Sequence, residues 1–217
     1  MIDSGTQAGG GYIRVLGVDP AAAGPTGYGI VEAVGRNCRA VHYGAHSIEN
    51  GRRNTPGAAL YEIHTLMCQL IAEFRPDVVA VENIFTALNM KTALRLAEVR
   101  GVVLLAAAQH GLEVHSYAPR EVKASVAGYG HADKKQIQLM VRALLAMTET
   151  PEPADAADAL AVALCHFQAE RMRHRFGLPR AVKSSSAKIS VPASSVALNR
   201  GVADATPKCS RRIVPTR

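Results

Sequence analysis

Ile13-Arg14-Val15-Leu16-Gly17-Val18-Asp19-Pro20 reads as a strand covered on both faces, because its apolar run to Val18 is nearly continuous rather than alternating. The strand ends on a carboxylate, Asp19. A Gly-containing turn follows, Ala21 to Gly27. Tyr28 to Val34 and Ala40 to Ile48 then form two further short strands about the Gly35-Arg36-Asn37 turn, so the opening is an antiparallel meander. Thr55-Pro56 starts a helix with Leu60, Ile63, Leu66, Met67, Leu70 and Ile71 as its apolar stripe, and Arg75-Pro76-Asp77 ends it. Val78 to Val81 is a second short buried strand, and it too finishes on an acid, Glu82.

Asn89 to Gln109 is a long helical stretch closed by His110-Gly111, and Glu113 to Tyr117 is another strand. A helix from Pro119 to about Ala127, the Gly128-Tyr129-Gly130 turn and a helix from about Asp133 to Ala146 come next. Pro151 and Pro153 break the chain, and Ala154 to about Arg173 is the last helix. Three strands, helix, strand, helix, strand and then helices predict an α/β fold in which helices flank a mixed sheet. No internal repeat is visible.

Composition agrees with that class. The chain has 217 residues, 48% of them hydrophobic, without Trp and with 5% aromatics, which suits aliphatic strands under Ala-rich helices. No run reaches the roughly 18 apolar residues of a membrane span. Met1-Ile2-Asp3-Ser4-Gly5 lacks the basic start and apolar stretch of a secretory signal, so a cytoplasmic protein is expected. Cys38, Cys68, Cys165 and Cys209 are dispersed and read as reduced thiols, the first three in the core. Neither they nor the eight scattered histidines support a zinc site.

The net charge of +7 is unevenly distributed. From Arg171 onward there are 11 Lys and Arg against one acid, Asp204, which leaves 14 basic and 17 acidic residues in 1–170. The expected organisation is an N-terminal extension (1–12), one ordinary domain (13–177) and a basic, Ser- and Pro-rich tail (178–217) lacking hydrophobic periodicity. Such a tail either binds polyanions without specificity or merely solubilises the chain.

Asp155 and Asp158 lie three apart on the last helix, so their side chains share a face among small apolar neighbours, Ala154, Ala156, Ala157, Ala159, Leu160 and Ala161. Both also sit in the first turn, where the helix dipole favours anions and Asp155 is placed to cap. Asp19 before Pro20 is equally a turn former. Taken together, two acids at strand ends and two on a helix face supply the hard oxygen ligands that Mg²⁺ takes. Two such ions about 3.5–4 Å apart activate a water and stabilise the leaving oxygen in phosphodiester hydrolysis. No Ser-His-Asp or Cys-His arrangement competes.

Val15-Leu16-Gly17-Val18-Asp19-Pro20 with Thr26-Gly27-Tyr28-Gly29, then Val81-Glu82-Asn83-Ile84-Phe85, then Ala154-Asp155-Ala156-Ala157-Asp158-Ala159-Leu160, resemble the bacterial RuvC family of Holliday junction resolvases over about residues 13–170. The resemblance implies a ribonuclease H-like domain with a mixed five-stranded sheet, acting on four-way junction DNA as a homodimer by paired symmetric nicks. Asp19, Glu82, Asp155 and Asp158 are then the metal-binding and catalytic quartet for Mg²⁺, two ions per site, with Mn²⁺ able to substitute. Lys123 and Lys134 match the family's basic residues near the active site, where a lysine neutralises and positions the scissile phosphate. Phe85, Lys91 and Lys135 are the further DNA-contact candidates, Phe85 as a stacking or wedging aromatic or else a core residue. The RuvA and RuvB branch-migration proteins are implied partners.

Asp19-Pro20-Ala21 stands where the family usually reads Asp-Pro-Gly, and one extra residue precedes Thr26. The face Leu94, Ala97, Gly101 and Leu105 of the long helix is either the dimer surface or packed on the sheet. Rival readings are another ribonuclease H-like nuclease, a non-catalytic junction-binding protein, and an actin-like ATPase or sugar kinase, for which the chain is too short.

Overall fold

Val15 to Val18 are all buried, as a strand covered on both faces requires, in the computed structural model, which describes residues 12–22, 24–35, 37–47, 55–84 and 89–177. The expected extension, apart from Tyr12, the expected tail and Phe85 lie outside those residues. In chain order the elements are β1 (Ile13–Asp19), β2 (Thr26–Val34), β3 (Asn37–His46), α1 (Pro56–Phe74), β4 (Val78–Glu82), α2 (Met90–Gln109), β5 (Glu113–Tyr117), α3 (Pro119–Ala127), α4 (Lys134–Leu144) and α5 (Ala154–Arg175).

They form a five-stranded sheet in the order β3-β2-β1-β4-β5, flanked by helices as expected. β1, β2 and β3 are the antiparallel meander, whereas β4 runs parallel to β1 and to β5. β2 and β3 begin earlier than their apolar runs suggest. Pairing sets those limits: Thr26 faces His46 and Val34 faces Asn37, with Gly35 in the left-handed region (φ 60°) between them.

The alternation of side chains along each strand feeds two cores. Leu16, Val18, Ile30, Val79 and Val81 pack with Ile63, Met67 and Leu70 of α1 and Val99, Val103 and Ala106 of α2. Val15, Val31, Val78 and Ala80 point to the opposite face, against Val122 of α3, Ile137 and Val141 of α4, and Leu160 and Leu164 of α5. The sheet is therefore the middle of three layers. α1 is capped as its sequence says, Thr55 accepting from Ala58 N and Arg75 closing the C-terminus in the left-handed region (φ 48°). Cys165 is buried and free, but Cys38 and Cys68 are only half-buried, so the core expectation holds fully for one thiol of the three.

Candidate active site

Parallel pairing of β1 with β4 puts Val18 opposite Val81, so the next residues, Asp19 and Glu82, leave the same edge of the sheet side by side. Neither carboxylate chose its neighbour locally; the register did. α5 brings the other two acids. It crosses β1 and β2 at glycines, and a methyl group on Gly27 would lie 2.0 Å from the Asp155 carbonyl oxygen, one on Gly17 2.1 Å from that of Ala159. Helix and sheet thus touch backbone to backbone at the point where Asp155 and Asp158 emerge, which no residue with a Cβ permits.

One oxygen each from Asp19, Asp155 and Asp158 lies within 4.8 Å of the others, and Glu82 is hydrogen-bonded to Asp19. The capping alternative is not the one taken. The N-cap of α5 is Pro153 without a side-chain bond, and Asp155 in the first turn is turned to the other acids. Burial, then the charges of Glu82 and Asp158, push the Asp19 carboxyl up to about 8. Glu82 is raised too, chiefly by burial, against its bond with Asp19 and the nearby Lys123 charge. Burial likewise raises Asp158, with Lys134 opposing it. Four acids converging with so little compensation favour a cation.

Two of the expected lysines converge on the cluster. Lys134, at the N-terminus of α4, places Nζ 3.1 Å from Asp158 Oδ2 and 3.5 Å from Asp155 Oδ1. Burial works against its charge, but those aspartates more than offset it, so its pKa lies above the ordinary lysine value. Lys123 on α3 is near enough for its charge to lower both Glu82 and Asp158. Lys135 and Lys91 are exposed in the first turns of α4 and α2 and form no ion pair among the described residues.

Three features of the site were not singled out from sequence. Thr26 is 1% exposed and its Oγ1 accepts from Ala21 N at 3.4 Å, tying the loop after Asp19 to β2 across the position that departs from the family pattern. Gly17 and Gly27 carry a signal that sequence offers: glycine inside a buried strand marks a close approach of another backbone. Tyr129, half-exposed, donates to Gln136 Oε1, which also accepts from Asp133 N at 3.0 Å, so the turn before α4 is braced against the helix that presents Lys134.

The Leu94, Ala97, Gly101 and Leu105 face is not packed on the sheet. All four are exposed, Leu94 at 59% and Leu105 at 53%, while α2 turns Val99, Val103, Ala106 and Ala107 inward.

Comparison with known proteins places this geometry. The profile of the family described as crossover junction endodeoxyribonuclease RuvC matches residues 15–166. The chain is 46% identical over 156 residues to the crossover junction endodeoxyribonuclease RuvC of Caldicellulosiruptor saccharolyticus, covering 71% of this chain and 92% of the relative. It is 48% identical over 151 residues to that of Heliobacterium modesticaldum, with coverages of 70% and 91%. The structure of Thermus thermophilus RuvC in complex with a Holliday junction substrate superposes with a TM-score of 0.68 at 34% identity, over 78% of this chain and 99% of that one. The ribonuclease H-like fold expected from the resemblance is the one observed.

Proposed function

The chain belongs to the RuvC family of crossover junction endodeoxyribonucleases, and from that premise we propose that Asp19, Glu82, Asp155 and Asp158 hold two Mg²⁺ ions for phosphodiester hydrolysis on four-way junction DNA. The protein is an endonuclease of the Holliday junction resolvase type, serving recombination and repair. The observation that carries the metal reading is the meeting of Asp19 of β1 with Asp155 and Asp158 of α5, with Glu82 of β4 beside Asp19 at the same end of the sheet.

The donor set fits such ions. Among the described residues it offers carboxylate oxygens only, with no thiolate or imidazole in the group, and hard oxygens select Mg²⁺ or Mn²⁺ over zinc. When bound, the ions supply an activated water and stabilise charge on the leaving oxygen. The chain's own residues do the rest. The glycine-mediated contact of α5 with β1 and β2 fixes the spacing between the helix acids and Asp19, and Thr26 restrains the loop that leaves Asp19. Lys123 and Lys134 bring positive charge to the rim, where it orients and neutralises the scissile phosphate. Lys91 and Lys135, exposed in the first turns of α2 and α4, and Phe85, which follows β4 in sequence, are the further DNA-contact candidates.

A four-way junction presents two equivalent strands, and a two-fold dimer with one site per subunit cuts both at matching positions. The exposed stripe Met90, Leu94, Ala97, Gly101 and Leu105 of α2 supports a helix-to-helix dimer, because its steps of four, three, four and four residues keep one seam facing a partner. RuvA and RuvB fit as branch-migration partners and the cytoplasm as the compartment. No described helix is long and apolar enough to cross a membrane.

Incubating the protein with a synthetic mobile four-way junction, an RNA–DNA hybrid and a hairpin, in Mg²⁺ or EDTA, tests the reading. Symmetric nicks on opposed strands of the junction, lost in EDTA, are expected. Cleavage that survives EDTA would refute the metal site, and single unpaired nicks would refute the dimer.

A further inference from the structure

Lys134 and the proposed metal ions address the same carboxylates. Nζ lies 3.1 Å from Asp158 Oδ2 and 3.5 Å from Asp155 Oδ1, the two helix acids of the cluster. We propose that Lys134 is an exchangeable counter-ion. In metal-free protein its ammonium partly neutralises Asp155 and Asp158; metal binding releases it to the entering phosphodiester, so that metal loading and DNA engagement are coupled through one side chain. The inference rests on the metal-site reading above.

Four observations support the exchange. Lys134 occupies the first position of α4, where the helix dipole disfavours a cation, and α4 itself contains no acid to pair with it. Its acidic partners among the described residues are Asp155 and Asp158, whereas Lys123 and Lys135 form no ion pair there. Its backbone is held in place: Asp133 Oδ1 accepts from Gln136 N at 2.9 Å, Gln136 Oε1 accepts from Asp133 N at 3.0 Å, and Tyr129 braces Gln136. Only the flexible stem has to move, and with the side chain 53% exposed it has solvent to move into.

An ammonium and a divalent cation cannot share these oxygens without cost. Mg²⁺ needs carboxylate oxygens at about 2.0–2.1 Å, and a second positive charge a few ångströms away repels it strongly in a half-buried cluster. A phosphate at the rim draws the lysine off the aspartates and so tightens metal binding. By linkage the bound metal, having freed the lysine, tightens phosphate binding by the same factor.

The test separates this role from a plain phosphate contact, for which metal affinity without DNA does not depend on the lysine. Mn²⁺ binding to the full chain is titrated without DNA, by electron paramagnetic resonance, for wild type, Lys134→Gln, Lys134→Met and Lys134→Arg. The two neutral variants should bind Mn²⁺ about fivefold more tightly than wild type, while the arginine variant stays near it. Both neutral variants should nevertheless cleave pre-bound junction more slowly in single turnover. Equal or weaker Mn²⁺ affinity in the neutral variants overturns the exchange and leaves the metal site standing. Failure of wild type and every variant to bind Mn²⁺ overturns the metal site and the exchange with it.

Discussion

β1 carries a charge cluster at each end, and the two are built on opposite rules. At its start Arg14 faces Glu32 on β2, which faces Arg39 on β3, so three side chains form a ladder across neighbouring strands. Glu32 is 3% exposed, yet Arg14 Nε donates to it at 2.7 Å and Arg39 Nη2 at 2.6 Å. Its pKa is lowered, first by the bond from Arg39, despite burial. At the other end four acids meet with one lysine bonded to them, and three of the acids are raised. A carboxylate that serves structure brings its own cations; one that serves chemistry leaves its charge for something that arrives. Charge imbalance, rather than burial of acids, distinguishes the proposed metal end.

Asp19→Asn is the strongest way to break this contrast. It removes a hard ligand while keeping shape, and cleavage of bound junction should fall by at least about a thousandfold, or about 4 kcal/mol. Junction affinity should survive. The thermal midpoint without metal should hold or rise, because burial and the neighbouring acids already disfavour charge on Asp19 and the amide carries none. Glu32→Gln should do the reverse. Leaving two arginines around a neutral side chain should cost about 3 kcal/mol in urea unfolding, with the cleavage rate of the folded protein unchanged. If Asp19→Asn destabilised as much as Glu32→Gln, the two ends would not differ in kind.

The acids of the proposed metal end were more legible in sequence than the salt-bridged cluster at the other end. Asp19 and Glu82 were visible because each closes an apolar run, and Asp155 with Asp158 because a spacing of three defines a helix face. That Asp19 stands beside Glu82 depends on parallel pairing between strands more than 60 residues apart, which local pattern does not encode. Arg14, Glu32 and Arg39 lie on three strands, and only the register makes them one cluster. The long helix shows another limit. Its outer stripe is apolar enough to belong to a core, and periodicity identifies a face without saying whether sheet or partner covers it. The structure turns that stripe outward. Phe85 falls outside the described residues.

A buried pair that starts neutral gives the comparison a third case. His166 on α5 is 4% exposed, and its Nδ1 lies 2.7 Å from Tyr117 Oη. Burial, then the neighbouring His115, lower its pKa to about 4. The unfolded chain takes up that proton near pH 6.5 and the folded one does not, so stability is present above 6.5 and lost as pH falls toward 4. Between pH 7 and pH 4.5 this group should remove about 2–3 kcal/mol. His166→Gln keeps a partner for Tyr117 and cannot titrate, so its urea unfolding should lose correspondingly less over that interval. An equal loss in both proteins would assign the acid sensitivity elsewhere.

The smallest expected effect divides the structural cluster itself. Arg14 and Arg39 both bond Glu32, but their side chains are 23% and 70% exposed. Arg14 also donates Nη1 to the carbonyl of Phe74 at 2.9 Å, so it ties the end of α1 to the sheet as well as pairing with the acid. Water replaces much of what Arg39 supplies and little of what Arg14 does. Arg14→Ala should therefore cost about 2 kcal/mol, through a part-buried charged bond and an unsatisfied carbonyl, and Arg39→Ala about 1 kcal/mol. Raising salt should shrink the second cost and spare most of the first, since screening acts on exposed charge. Urea unfolding of both variants at low and high NaCl measures this. Equal costs with equal salt dependence would mean that Glu32 is satisfied by charge alone, whatever its source, and that the ladder geometry contributes nothing.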